Sequence, residues 1–99
     1  MPDGPLRVVA TITAQPGKAA EMKAILEKLI APTRAEAGCI SYELLQNNHD
    51  PNDFVFVEEW TSDAALDQHI ATPHLQDAVE QVGSMLARPP DIRRYSLVG

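Results

Sequence analysis

The sequence predicts an α+β fold of order βαββαβ, and three observations carry the prediction. Four segments rich in β-branched and aromatic residues are set apart by turn formers. Between the first and second, and between the third and fourth, apolar residues recur at three- and four-residue spacing, the period of a helix with one buried face. The second and third segments are joined by a single short polar stretch, as in an antiparallel hairpin. Split βαβ units in this order form a four-stranded antiparallel sheet with the helices on one face.

Taken in order, residues 1–5 hold Pro, Asp and Gly and read as a loose arm. RVVATITA (7–14) is the first strand, closed by the turn Gln15-Pro16-Gly17. A helix opens at Lys18, with Met22, Ile25, Leu26, Leu29 and Ile30 on one face and Glu21, Lys23, Glu27 and Lys28 on the other. Pro32 should kink it, because proline lacks an N–H and clashes with the preceding turn. Gly38 is a suitable C-terminal stop. The second strand is CISYELLQ (39–46), NNHDPND (47–53) is the connecting loop, and FVFVEEW (54–60) is the third strand. Ser62 can cap a helix over 63–71. Thr72-Pro73 is a second start signal, with proline at the first helical position, for a helix over 73–86 whose inner face is Leu75, Ala78, Val79, Val82 and Leu86. Pro89-Pro90 breaks it, and IRRYSLV (92–98) is the fourth strand.

At 99 residues, 44% of them hydrophobic, the chain has the size of one domain, with its core over about 6–98. The net charge of −6 and the absence of any basic run argue against nucleic acid and anionic membranes as partners. No apolar run approaches the roughly 20 residues of a membrane-spanning helix, and the first residues do not have the form of a secretory signal. Cys39 is the single cysteine, so no intrachain disulfide and no Cys/His zinc cluster is expected. A reduced, cytoplasmic setting fits these features. The strands carry apolar side chains on both parities: Phe54 and Phe56 oppose Val55 and Val57, and Val8, Ala10 and Ile12 oppose Val9. A sheet covered by helices on one side only would alternate apolar with polar. Burial of the second face against another copy of the chain, a homodimer, is therefore expected.

Three stretches together resemble a known family. They are QPGK (15–18), AEAGCISYEL (35–44) and FVFVEEWTSDAALDQHIATPHLQDAV (54–79), the last the most specific. The chain resembles the antibiotic biosynthesis monooxygenase family, and in particular its small quinol monooxygenases. The resemblance implies a ferredoxin-like subunit that pairs into a dimeric α+β barrel. The activity it implies is cofactor-independent oxidation of a small aromatic quinol or phenol by molecular oxygen. Haem-degrading relatives look to need an Asn, a Trp and a His where this chain has Ala10, His69 and Val79. An isomerase of a small phosphorylated metabolite and a non-catalytic small-molecule-binding dimer are the alternatives.

The candidate site residues follow from side-chain chemistry and placement. His69 borders the face marked by Leu66 and Ile70 and could take a proton from a phenol, or simply tie its helix to the sheet. His74, in the first turn of the next helix, could orient a substrate oxygen or make a structural hydrogen bond at the helix corner. The two histidines are five residues apart with a helix break between them, not the i,i+4 spacing of a metal pair, so no metal is expected. Glu58, Trp60, Phe54 and Phe56 share one strand face. A carboxyl among aromatic rings is desolvated and becomes a usable acid or base, unless an arginine pairs with it. Trp60 could stack on a flat substrate or plug the core. Tyr42, on the neighbouring strand, could hydrogen-bond a quinol oxygen or serve as core. Phe54, Phe56 and Leu66 would wall the cavity. Glu59 faces the opposite way and His49 sits in the hairpin loop. Arg34, Arg93 and Arg94 could draw an acidic substrate, though isolated surface arginines are common. There is no GxGxxG and no P-loop, and no cofactor is expected: an electron-rich phenol can itself reduce oxygen, given a base, orientation and a dry pocket.

Overall fold

The computed structural model describes residues 5–99, so all of the expected N-terminal arm but Pro5 lies outside the described residues. Strands β1 (Leu6–Thr13), β2 (Cys39–Asn47), β3 (Asp50–Trp60) and β4 (Asp91–Ser96) pair antiparallel in the order β2-β3-β1-β4. Helices α1 (Ala19–Glu27), α2 (Ile30–Arg34), α3 (Asp63–Ile70) and α4 (Pro73–Val82) follow β1 and β3. This is the ferredoxin-like α+β arrangement that the element order predicts. No helix among the described residues is long and apolar enough to cross a membrane.

The strand alternation sorts the two central strands into two faces. Leu6, Val8 and Ala10 of β1 and Phe54, Phe56, Glu58 and Trp60 of β3 are buried, while Arg7, Val9, Val55, Val57 and Glu59 between them are half-buried. The buried row packs against Met22 and Leu26 of α1, Leu66 of α3, and Ala78 and Val82 of α4. These positions recur at helical spacing because each helix presents one apolar stripe to the sheet.

Several boundaries differ from the sequence expectation, each for a local reason. The long first helix is two helices rather than one kinked helix. Pro32 cannot donate to the carbonyl of Lys28, and its ring clashes there, so the chain breaks one turn earlier and Leu29 donates instead to the Leu26 carbonyl at 3.1 Å. Pro32 then sits in the first turn of α2, where a missing N–H is harmless. The hairpin loop is shorter than expected, with Asn47 opposite Asp50 and a register shift in β3 taking up the remaining residues. Its Asn and Asp side chains bond locally: Asn47 Oδ1 accepts from His49 N at 2.8 Å and Asp50 Oδ1 from Asn52 N at 3.1 Å. Helix α4 gives way to a 3₁₀ turn at Gly83–Met85, and Val79, expected on the inner face, is 54% exposed. Val79 nonetheless lies on the inner side, where with Leu75, Ala78 and Val82 it lines the apolar space between α4 and the sheet. β4 ends at Ser96, opposite Leu6 at the start of β1, so Leu97 and Val98 pass beyond their partner strand.

Candidate functional site

The two N-caps after β3 place the histidines. Ser62 Oγ accepts from Ala65 N at 3.1 Å and opens α3. Thr72 Oγ1 accepts from Leu75 N at 3.4 Å to open α4 and donates to the His69 carbonyl at 2.7 Å. This corner lays α3 and α4 back across the inner face of the sheet. His69 therefore points at Trp60 and Tyr42, and His74 stands one helix start away.

Between helices and sheet lies a cavity of about 280 Å³, walled almost entirely by apolar side chains, among them Val8, Ala10, Phe56, Leu66 and Val82. Tyr42, Glu58, His69 and Gln76 are its polar members. Tyr42 stacks on Phe56 with ring centroids 4.7 Å apart and meets the His69 ring edge-on at 5.7 Å. Of the eight expected site residues, Tyr42, Phe56, Glu58, Leu66 and His69 line this cavity. Three do not. Trp60 and Phe54 are 0% exposed and lie in the packed core rather than in the cavity wall. Trp60 thus has no free face for a substrate. Its ring lies 4.8 Å from that of His69, and its Nε1–H donates to Glu58 Oε1 at 2.8 Å. His74 is outside the cavity as well, joined to it through another residue.

That residue is Glu36, which the sequence reading did not single out. Its Oε2 lies 2.7 Å from His69 Nδ1 and 2.7 Å from His74 Nε2. With Nδ1 hydrogen-bonded to a carboxylate, His69 has Nε2 as its remaining ring nitrogen, on the residue that walls the cavity. Glu36 sits in the turn between α2 and β2, and Gly38 fixes that turn. Gly38 has φ of +89°, and a Cβ there would stand 2.7 Å from the Ala65 Cβ of α3. The turn can therefore press against α3, a contact sealed by Thr61 N donating to the Gly38 carbonyl at 2.9 Å. Glu36 lies 33 residues from His69 and 38 from His74, so no spacing rule could have joined them. The only visible signal was a carboxylate two residues before a glycine stop.

The electrostatics follow from burial. Glu58, 4% exposed, has its carboxyl lifted to about 7 by desolvation, against the Trp60 hydrogen bond, which favours the charged form, and with a further push from the Glu36 charge. Among the described residues, no arginine pairs with it. The Tyr42 phenol is pushed above its ordinary range by burial and by the neighbouring Glu58. The half-buried Cys39 thiol is raised by burial and then by Glu36. Each of the three arginines considered as anion attractors has protein partners: Arg34 donates to the Tyr42 carbonyl, Arg93 to Asp91, and Arg94 to Asp63 and Asp67. Glu59 pairs with Arg7 on the opposite sheet face at 3.5 Å, and His49 is exposed.

Residues 5–81 match the profile of the family described as "Antibiotic biosynthesis monooxygenase". The chain belongs to this family. Among similar proteins, an uncharacterised protein of Synechocystis sp. is 38% identical over 95 residues, 96% of this chain. The aligned chain spans 65% of that protein's length. "Putative monooxygenase Rv0793" of Mycobacterium tuberculosis is 39% identical over 86% of this chain and 83% of its own length. "Probable quinol monooxygenase YgiN" of Escherichia coli strain K12 is 30% identical over 78% of this chain and 84% of its own. The crystal structure of PA3566 from Pseudomonas aeruginosa superposes with a TM-score of 0.92 at 37% identity, covering 100% of this chain and 99% of that one.

Proposed function

We propose that this member of the antibiotic biosynthesis monooxygenase family oxidises a small aromatic quinol or phenol with molecular oxygen. The observation that carries the reading is His69: its Nδ1 is held by Glu36 and its ring walls an apolar cavity of about 280 Å³. That is the arrangement of a base whose orientation is set by a carboxylate. The cavity suits a flat, uncharged ring. None of its lining residues is Lys or Arg, which favours a phenol over a phosphorylated metabolite.

In the proposed reaction His69 Nε2 takes the phenolic proton, and the resulting phenolate is the stronger electron donor to oxygen. One oxygen atom enters the ring and the other leaves as water, so a hydroquinone becomes a hydroxyquinone and supplies all the electrons. Glu58, whose carboxyl is raised to about 7, retains a proton near neutral pH with which to hold a substrate oxygen. Glu36 faces the imidazolium as it forms. The test is oxygen uptake with a panel of quinols. Removing a positioned base costs about 10²–10⁴-fold in rate, and His69→Ala is expected to fall in that range with its fold intact. An unaltered rate would remove His69 from the mechanism.

We further propose that the protein works in the cytoplasm as a homodimer. The sheet face away from the helices carries Val9 opposite Val57 and Val55 opposite Leu45, with Tyr95 on the same face opposite Arg7, and a second copy is the simplest cover for it.

A further inference from the structure

We propose that Glu36, His69 and His74 form a binding site for a divalent transition-metal ion of the zinc class, on the side of the His69 ring away from the apolar cavity. The three donor atoms, one carboxylate oxygen and two imidazole nitrogens, lie within 4.8 Å of one another. They come from three separate segments: the turn before β2, the end of α3 and the first turn of α4. Two imidazoles and one carboxylate are a donor set that zinc and its neighbours in the first transition series take readily, with the remaining position open to water.

The local geometry supports an ion there. Metal–ligand bonds of about 2.0–2.2 Å place neighbouring donors of a tetrahedral site roughly 3.4 Å apart. The two nitrogens, within 4.8 Å of each other, must therefore draw together by up to about 1.4 Å, and Glu36 Oε2, 2.7 Å from each, must move back by about 0.7 Å. His74 is free to make most of that movement, since its side chain is 26% exposed while those of Glu36 and His69 are 13% and 4% exposed. The same gradient provides an entry path, from solvent past His74 to the buried donor. The segments that carry the donors are themselves fixed, by the Thr72 bond to the His69 carbonyl and by the Gly38 turn pressed against Ala65. Spacing along the chain hides the site, because the third donor is more than thirty residues from either histidine.

Occupancy has a chemical consequence for the cavity. A metal on Nδ1 takes the place of the Nδ1 proton, and the neutral imidazole then carries its proton on Nε2. The nitrogen proposed above to accept a proton becomes a donor, so a bound ion is expected to inhibit turnover reversibly. This consequence rests on the proposed monooxygenase reading, whereas the binding itself does not.

The test is titration of the chelator-treated full chain with Zn²⁺ by calorimetry and with Co²⁺ by visible absorption. One ion per chain is expected, with Co²⁺ giving the bands of a low-symmetry, nitrogen- and oxygen-ligated site. Glu36→Gln and His74→Ala should each weaken binding by about tenfold or more, while His49→Ala, at an exposed histidine, should leave it unchanged. Circular dichroism of each variant establishes that it is folded, and His74→Ala, the more exposed position, keeps the test open if Glu36→Gln is not. Absence of saturable binding, or binding equal to wild type in folded His74→Ala, overturns the proposal. Binding together with no quinol turnover by the chelator-treated, metal-free protein would overturn the monooxygenase reading and leave the metal site standing. Turnover without binding would do the reverse.

Discussion

Glu58 shows how one side chain in this fold is set by its surroundings. Its carboxyl is raised from 4.5 to about 7, chiefly by desolvation. Between those two values the folded protein retains a proton that the unfolded chain has released. Stability therefore falls as pH rises through this window, and the loss is complete above the folded value. Glu58→Gln keeps an oxygen for Trp60 and removes the titration. The variant should match wild type at about pH 4 and exceed it above about pH 8, by about 3 kcal/mol at most. Urea unfolding at the two pH values measures this, and a difference that does not grow with pH would contradict the burial argument. In turnover the expected sign is similar: if protonated Glu58 holds the substrate oxygen, the rate in wild type should decline above about pH 7 and that decline should be absent in Glu58→Gln.

Two short connections decide whether the helices bring their side chains to the right place. At Gly38 a side chain would meet both a left-handed backbone, φ +89°, and the Ala65 Cβ at 2.7 Å. Gly38→Ala should therefore cost on the order of 2–4 kcal/mol, the sum of a backbone and an overpacking penalty, and should loosen Glu36 from His69. Thermal unfolding reads the first effect. A loss no larger than that of Gly17→Ala, where the backbone is also left-handed but the space is open, would show that the contact with α3 does not matter. At the α3–α4 corner Thr72 both caps α4 and holds the last turn of α3. Thr72→Ala should cost about 1 kcal/mol, while Thr72→Ser, which retains the hydroxyl, should recover most of it in the same measurement.

For the molecule as a whole, the second face of the sheet is the surface that calls for a partner. Val9 lies opposite Val57 and Val55 opposite Leu45, giving a row of apolar side chains across β1, β3 and β2. On the edge strand β4, Tyr95 faces the same way and is 44% exposed. Contiguous apolar surface of this kind marks an interaction site. Light scattering at micromolar concentration should give twice the chain mass, and Val57→Asp, a charge at the centre of the face, should shift the population to monomer. A wild-type protein of single-chain mass would remove the dimer.

Element order, strand pairing and inner face were legible in the amino-acid sequence because each depends on local chemistry. Period-two and period-3.6 patterns mark strands and helices. Ser62, Thr72-Pro73 and Gly38 mark where helices begin and end, and those signals act within a few residues of themselves. The Glu58 environment was legible too, since Phe54, Phe56 and Trp60 alternate with it on one strand. Other features became visible only in three dimensions. Trp60 turned out to be core rather than cavity wall because the His69 ring covers it, a contact made by an element that comes later in the chain. The helix break before Pro32 was displaced by one turn, as the clash falls on the carbonyl four residues back. Above all, Glu36 could not be joined to His69 and His74 by any spacing, because the Gly38 turn and the Thr72 corner are what close the distance. Local patterns determine which elements form; which polar groups meet is decided by how the elements pack, and that depends on contacts between residues far apart in the chain.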